Sequence, residues 1–158
     1  MKKVVIPSAF ILVLAFPAFT GISMAATKTN NLQVTASVAA NCVITGVTDI
    51  AFGIYDPTSP TPLDVNGDLT FRCTKKTSYK TYITGTRQMI GAGSSDSLSF
   101  ELFSDPDRII YYPADNSGSS TVAGSNSPIT SIIYGRIPPG QNVSADTYSK
   151  SLTAIVEY

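Results

Sequence analysis

The feature that most constrains the fold is a period-two alternation of apolar and polar residues over the last twelve positions, Thr147 to Tyr158. One face carries Tyr148, Leu152, Ala154, Val156 and Tyr158, with Lys150 as its exception. The other carries Ser149, Ser151, Thr153 and Glu157, with Ile155 as its exception. This pattern predicts a β-strand with one buried face. No residue follows Tyr158, so we expect its neighbours to come from elsewhere.

A second alternation lies near the other end of the chain. Its apolar positions are Leu32, Val34, Ala36, Val38, Ala40, Cys42 and Ile44. A run of this length is long against a usual strand of about 5–6 residues. The pattern therefore predicts either one long edge strand, or an outer strand near Leu32–Val38 followed by an inner one near Ala40–Ile44.

The rest of the chain favours many short strands joined by turns. A length of 158 residues suits one domain, and 11 glycines and 10 prolines supply turn residues. Asn66-Gly67 is a dipeptide typical of hairpin turns. Leu98, Phe100 and Leu102 alternate with polar neighbours. The spacing of about seven or eight such segments predicts an all-β sandwich.

Residues 1–26 have the features of a secretory signal peptide. Lys2-Lys3 is a positive start, Val4 to Phe19 is apolar, and Ser23-Met24-Ala25 offers small residues for cleavage. The apolar run is interrupted by prolines and is shorter than the roughly 20 residues of a membrane span. We therefore expect membrane contact only during export. The mature chain would keep 11 minus 2, or nine, basic residues against 11 acidic ones, which argues against a nucleic-acid partner.

The two cysteines, Cys42 and Cys73, are informative in an exported chain. An oxidising destination favours one disulfide between them, and two inert buried thiols are the alternative. Two cysteines without any histidine cannot supply the four ligands of a zinc site.

The composition also argues against catalysis and cofactors. The absence of histidine excludes serine–histidine and cysteine–histidine mechanisms. Asp64-Val65-Asn66-Gly67-Asp68 resembles the start of a calcium loop. Its glycine, however, comes too early, and Lys75 stands where the loop needs a glutamate. We interpret it as a hairpin turn, and we predict a protein that is not an enzyme and binds no cofactor.

Several motifs, taken in order, suggest a family. They are Asn41-Cys42, Phe52-Gly53-Ile54-Tyr55-Asp56, Phe71-Arg72-Cys73-Thr74, Arg87-Gln88-Met89, Leu98-Ser99-Phe100-Glu101-Leu102-Phe103, Tyr134-Gly135-Arg136-Ile137-Pro138-Pro139-Gly140-Gln141 and a terminal strand ending in Tyr158. Together they resemble the spore coat protein U domain family, which includes subunits of archaic, Csu-type chaperone–usher pili. The resemblance covers the whole mature chain.

The resemblance implies an incomplete immunoglobulin-like sandwich whose final strand is missing and is supplied by donor-strand complementation. A periplasmic pilus chaperone would fill the gap first, and the next pilin subunit would fill it in a head-to-tail fibre after passage through an outer-membrane usher. The implied route is export to the periplasm and then to a surface fimbrium for attachment or biofilm formation. The expected organisation is a signal peptide at 1–26, a donor-strand extension at 27–39 and a pilin domain at 40–158.

Within this family, the first alternation becomes a candidate donor strand and the last a candidate acceptor groove. The donor residues would be Leu32, Val34, Ala36 and Val38, and the groove residues Leu152, Ala154, Val156 and Tyr158. Two other interpretations stay open: a secreted spore-coat-type structural protein of the same fold, and a carbohydrate-binding tip adhesin module.

Overall fold

The residues that the structure describes form ten β-strands. The structure is a computed structural model, and it describes residues 24–117, 122–123 and 126–158. Its strands are β1 (Cys42–Thr48), β2 (Leu63–Cys73), β3 (Ser78–Thr84), β4 (Gln88–Gly91), β5 (Ser97–Ser99), β6 (Glu101–Phe103), β7 (Val122–Ala123), β8 (Ile129–Ile137), β9 (Tyr148–Ser149) and β10 (Thr153–Glu157). The described residues contain no helix, so the all-β prediction is confirmed.

The strands assemble into three antiparallel sheets. The four-stranded sheet has the order β1-β2-β8-β6, and the three-stranded sheets have the orders β10-β3-β7 and β5-β4-β9. One apolar core joins all three sheets, since Phe71 of β2, Ile83 of β3 and Leu98 of β5 belong to the same buried cluster. The ring of Phe71 meets that of Tyr79 edge-on, with 4.9 Å between centroids. This is a sandwich with its core between the sheets.

The chain divides after Ala36 into two units. In the first unit, residues 24–36 contain no strand. In the second, the strand that carries Cys42 begins only at that residue and runs on to Thr48. The prediction of one long edge strand from Leu32 to Ile44 was therefore wrong, whereas the predicted inner strand near Ala40–Ile44 corresponds to the start of β1. The ladder starts where it does because Cys42 pairs with Cys73, the last residue of β2. The predicted signal peptide lies mostly outside the described residues.

The final alternation also forms two strands and not one. β9 pairs with β4, while β10 pairs with β3, and residues 150–152 separate them. Their partner strands, β3 and β4, are also separated from each other, at the position that faces residues 150–152. Gly85 lies between β3 and β4 with a φ of +117°, and the Leu152 side chain approaches it closely. The predicted single strand was therefore wrong in its continuity, because the bend at Gly85 ends both ladders.

The predicted turn at Asn66-Gly67 was wrong as well. β2 runs through both residues without a break, with Gly67 opposite Ile133 of β8. The glycine is needed because the chain leaving β1 crosses over it: a Cβ at Gly67 would collide with the Thr48 carbonyl oxygen and lie 2.8 Å from Ile50 Cγ1. Gly135 likewise lets Ile50 and Phe52 approach, since a Cβ there would lie 2.9 Å from each side chain.

We therefore expect Gly67→Ala to destabilise the fold by roughly 1–3 kcal/mol, the usual cost of overpacking a close contact. The measurement is the urea midpoint of the mature chain saturated with a synthetic peptide of residues 27–39, the candidate donor segment. Gly46→Ala in β1 is the matched control, because its added Cβ would come no closer than 3.8 Å to a neighbouring atom. Equal midpoints for the two variants would contradict the crossing at Gly67.

Candidate functional site

Two sheet edges on one side of the sandwich are left open. β1 is the terminal strand of the four-stranded sheet and pairs with β2. β10 is the terminal strand of its own sheet and pairs with β3. Among the described residues, no strand pairs with the second edge of either. Each edge therefore presents backbone N–H and C=O groups without a ladder partner.

The inward-facing side chains of β1 are more exposed than those of the neighbouring strand β2. Ile44 lies opposite Phe71 and Val47 lies opposite Leu69, and residues directly opposite in a ladder share a face of the sheet. Phe71 and Leu69 are 1% and 0% exposed, yet Ile44 and Val47 are 41% and 57% exposed. Ile44 and Val47 thus point into the sandwich but are left largely uncovered by the described part of the chain.

The C-terminal strand forms the other side of this opening. Leu152, Ala154 and Val156 are half-buried and pack against the core cluster, and Ala154 lies opposite the buried Ile83. Tyr158 is exposed, and its hydroxyl donates to Asn41 Oδ1 at 3.1 Å. We call the space between β1 and β10, with Ile44, Val47, Ala154 and Val156 along it, the β1–β10 groove. The sequence pattern indicated the β10 side and missed Val47, because a bulge between Ile44 and Gly46 shifts the phase of β1.

A disulfide fixes one end of β1. Cys42 and Cys73 are directly opposite in the ladder and are bonded, with their Cα atoms 4.0 Å apart. Beside it, the Thr74 N–H donates to the Asn41 carbonyl oxygen at 2.8 Å, and the Thr74 hydroxyl donates to the Ala39 carbonyl oxygen at 3.3 Å. The predicted disulfide is confirmed, and the chain is attached to the domain from Ala39 onward.

Two hollows lie near the C-terminal strands, one near β9 and one near the end of β10. Near β9, a cleft of about 720 Å³ is lined mainly by apolar residues, among them Ile50, Phe52, Met89, Leu98, Val143 and Tyr148. Near the end of β10, a smaller hollow of about 410 Å³ is lined by Val38, Ala40, Tyr158 and residues 74–78. The sequence did not predict the larger cleft. The motif Phe52-Gly53-Ile54-Tyr55 forms one part of its lining. The other lining residues come from segments that are distant in sequence, so no single motif indicates the cleft.

The loop from Pro138 to Thr147 forms one wall of that cleft and is held by Asp146. Its Oδ2 accepts the backbone N–H groups of Gly93 at 2.8 Å and Ser94 at 2.7 Å. These hydrogen bonds, with the one from Ser94 the largest contribution, lower the pKa of Asp146 to about 2. The carboxylate therefore stays ionised well into the acid range.

The described residues hold no cluster suited to a metal ion. In that part of the chain, no three His, Cys, Asp or Glu side chains lie together in a way that could ligate one. Over residues 24–117, 122–123 and 126–158, no helix is long and apolar enough to span a bilayer.

The fold and groove define the class: an immunoglobulin-like all-β sandwich whose sheets are not closed. The chain belongs to the spore coat protein U domain family, because a model of that domain matches residues 28–155. It is similar to "Protein U" of Myxococcus xanthus, with 31% identity over 155 residues, covering 85% of this chain and 87% of that protein.

A solved structure shares the fold. One chain of the CsuC–CsuE chaperone–tip adhesion subunit pre-assembly complex, from archaic chaperone–usher Csu pili of Acinetobacter baumannii, superimposes with a TM-score of 0.52 at 16% sequence identity. The match covers 77% of this chain and 40% of that one. At this identity the likeness concerns the fold.

Proposed function

We propose that this protein is a structural subunit of a surface pilus, assembled by the chaperone–usher pathway through donor-strand exchange and serving attachment or biofilm formation. The observation that carries the proposal is the β1–β10 groove, where two open sheet edges flank uncovered apolar side chains. A strand from another chain would pair with the backbone edges and cover Ile44 and Val47 together. No catalytic or cofactor role is part of the proposal.

The donor is the segment at residues 27–39 of a neighbouring subunit. Leu32, Val34, Ala36 and Val38 are spaced two residues apart, as alternate pockets along a groove require. Leu32 and Val34 are 89% and 85% exposed, so these side chains are available to another molecule. Donation from each subunit to the next gives a head-to-tail contact that does not close, and such a contact builds a filament.

The partners follow from the same geometry. An open groove is an aggregation hazard in a lone subunit, so a periplasmic chaperone would occupy it first, an outer-membrane usher would then exchange it for a donor, and the subunit would end in a surface fimbrium. The structural neighbour comes from a chaperone–subunit pre-assembly complex, and this supports a chaperone as a partner. The boundaries that fit are a signal peptide at 1–26, the donor extension at 27–39 and the pilin domain at 40–158.

A secreted coat protein of the same fold is the second candidate, and the similarity to Protein U within the spore coat protein U domain family favours it. A coat protein would be stable without a donor from another chain. A carbohydrate-binding tip adhesin is a third candidate, and the feature that favours it is the exposed Ile54 beside the 720 Å³ cleft.

The test is the thermal stability of the mature chain, produced without a chaperone, in the presence of a synthetic peptide of residues 27–39. We expect the chain alone to aggregate or to melt at a temperature that depends on its concentration. The peptide should stabilise it by about 2.7 kcal/mol at a hundredfold excess over its Kd, since it binds only the folded state.

The matched control is the same peptide with Val34→Asp, which should stabilise far less. A monomer with a high, concentration-independent melting temperature that neither peptide changes would contradict donor-strand exchange and favour the coat protein.

A further inference from the structure

A sheet edge outside the groove is closed by one side chain in place of a strand. β5 is the terminal strand of its sheet, with β4 on its other side. The Ser99 N–H donates to Gln141 Oε1 at 2.8 Å, and the Ser99 carbonyl oxygen accepts from Gln141 Nε2 at 2.8 Å. The carboxamide has one acceptor and one donor side, so it satisfies both backbone groups of Ser99, which an added strand would otherwise use.

Gln141 is itself held in position. Its backbone N–H donates to the Tyr55 hydroxyl oxygen at 2.9 Å, and that hydroxyl donates to the Pro138 carbonyl oxygen at 3.1 Å. Gln141 Nε2 also lies 3.2 Å from the Pro138 carbonyl oxygen. The carboxamide is therefore fixed against β5 by contacts on both its main chain and its side chain.

The same loop continues around the tip of the β4–β5 hairpin. The Ser144 N–H donates to Asp96 Oδ2 at 2.8 Å, and Asp146 accepts from Gly93 and Ser94. The loop then joins β9, which pairs with β4 on the opposite side of the hairpin. Residues 138–147 thus cover the free side of β5 and the hairpin tip together.

The edge of β6 is covered by main chain. Ser104 N–H donates to the Ile110 carbonyl oxygen at 2.9 Å, and Tyr112 N–H donates to the Leu102 carbonyl oxygen at 2.8 Å. Among the described residues, β1 and β10 have no comparable cover along their second edges. The fold therefore covers the β5 and β6 edges, whereas the two edges that border the groove have no such cover. The other two terminal strands, β7 and β9, are only two residues long and offer a donor little backbone to pair with.

We propose that Gln141 is a specificity-determining residue: its carboxamide excludes strand addition at β5, so that a subunit accepts a donor only at the β1–β10 groove. This inference rests on the proposed function. A subunit with one donor and one acceptor site extends a fibre linearly, and a second acceptor edge would branch it. Gln141 thereby limits each subunit to a single partner on its acceptor side.

The test counts donor peptides. Native mass spectrometry of the mature chain, kept in solution by excess synthetic peptide of residues 27–39, should show one peptide per wild-type chain. Gln141→Ala removes both bonds to Ser99, and we expect two peptides per chain, a twofold increase. Gln141→Glu is nearly the same size but sets a carboxylate against the Ser99 carbonyl oxygen, and we expect two peptides there as well.

Gln88→Ala is the matched control, because Gln88 lies directly opposite Ser99 on the β4 side and is exposed. It should bind one peptide. A single peptide on wild type and on every variant would overturn the role of Gln141 and leave the groove in place. Absence of any peptide on the wild type would contradict the proposed function and this inference with it. If Gln141→Ala does not fold, the count for Gln141→Glu decides by the same criterion.

Discussion

Val34→Asp is expected to abolish fibre formation while the subunit, produced with its chaperone, still folds and still forms the Cys42–Cys73 disulfide. Val34 is exposed in the single chain, so a charge there costs the subunit's own fold little. In a fibre the same side chain would enter the groove of the next subunit. Burying Val is worth about 1.5–3 kcal/mol, and an unpaired carboxylate in its place costs several kcal/mol more.

Electron microscopy of surface fibres and a non-reducing gel of the periplasmic fraction would measure the two parts of this result. Thr35→Asp is the matched control, because it places the same charge one residue away on the polar face of the segment. Thr35→Asp should leave fibres intact. Normal fibres with Val34→Asp would remove Val34 from the donor strand, and loss of the folded subunit would indicate that this segment belongs to the subunit's own core.

Replacing both Cys42 and Cys73 by Ala is expected to have the largest effect on stability. The disulfide closes a loop with a sequence separation of 31 residues. The chain-entropy account gives a stabilisation of roughly 3–4 kcal/mol for a loop of this size. Because the bond joins the free edge strand β1 to β2, its loss should also loosen the side of the groove that carries Ile44 and Val47.

Urea unfolding of the subunit saturated with the peptide of residues 27–39 would measure the change. Reduction of the wild-type protein should lower its midpoint to that of the double variant, which has no bond to reduce and so serves as its own control. A double variant as stable as the oxidised wild type would show that the β1–β2 ladder holds this edge without the disulfide.

The local alternation of apolar and polar residues was sufficient to predict which side chains of a strand face the core. Leu98, Phe100 and Leu102 are all buried, as their alternation predicts, although the chain changes sheets between β5 and β6. Leu152, Ala154 and Val156 point towards the core in the same way. A period of two fixes which side chains share a face whatever the partner strand is, so this information is present in the sequence.

Continuity and turns were not predictable in this way. Asn66-Gly67 has the composition of a hairpin turn, but β8 pairs with both residues, and Gly67 is small because the chain from Thr48 to Ile50 crosses it. That requirement arises from a tertiary contact between the chain that leaves β1 and the middle of β2. A dipeptide preference is weak against such a contact, and the tertiary structure decided the outcome.

By itself, the sequence determined the all-β class, the inward faces of the strands and the disulfide, because alternation and the cysteine pair are properties of the chain alone. The tertiary structure decided where strands begin and end and which edges stay open. β1 starts at Cys42 because β2 ends at Cys73, and β9 separates from β10 because Gly85 interrupts their partners. The exposure of Ile44 and Val47 likewise depends on whether another strand packs over these side chains. Such features are relations between strands, and a linear pattern does not encode them.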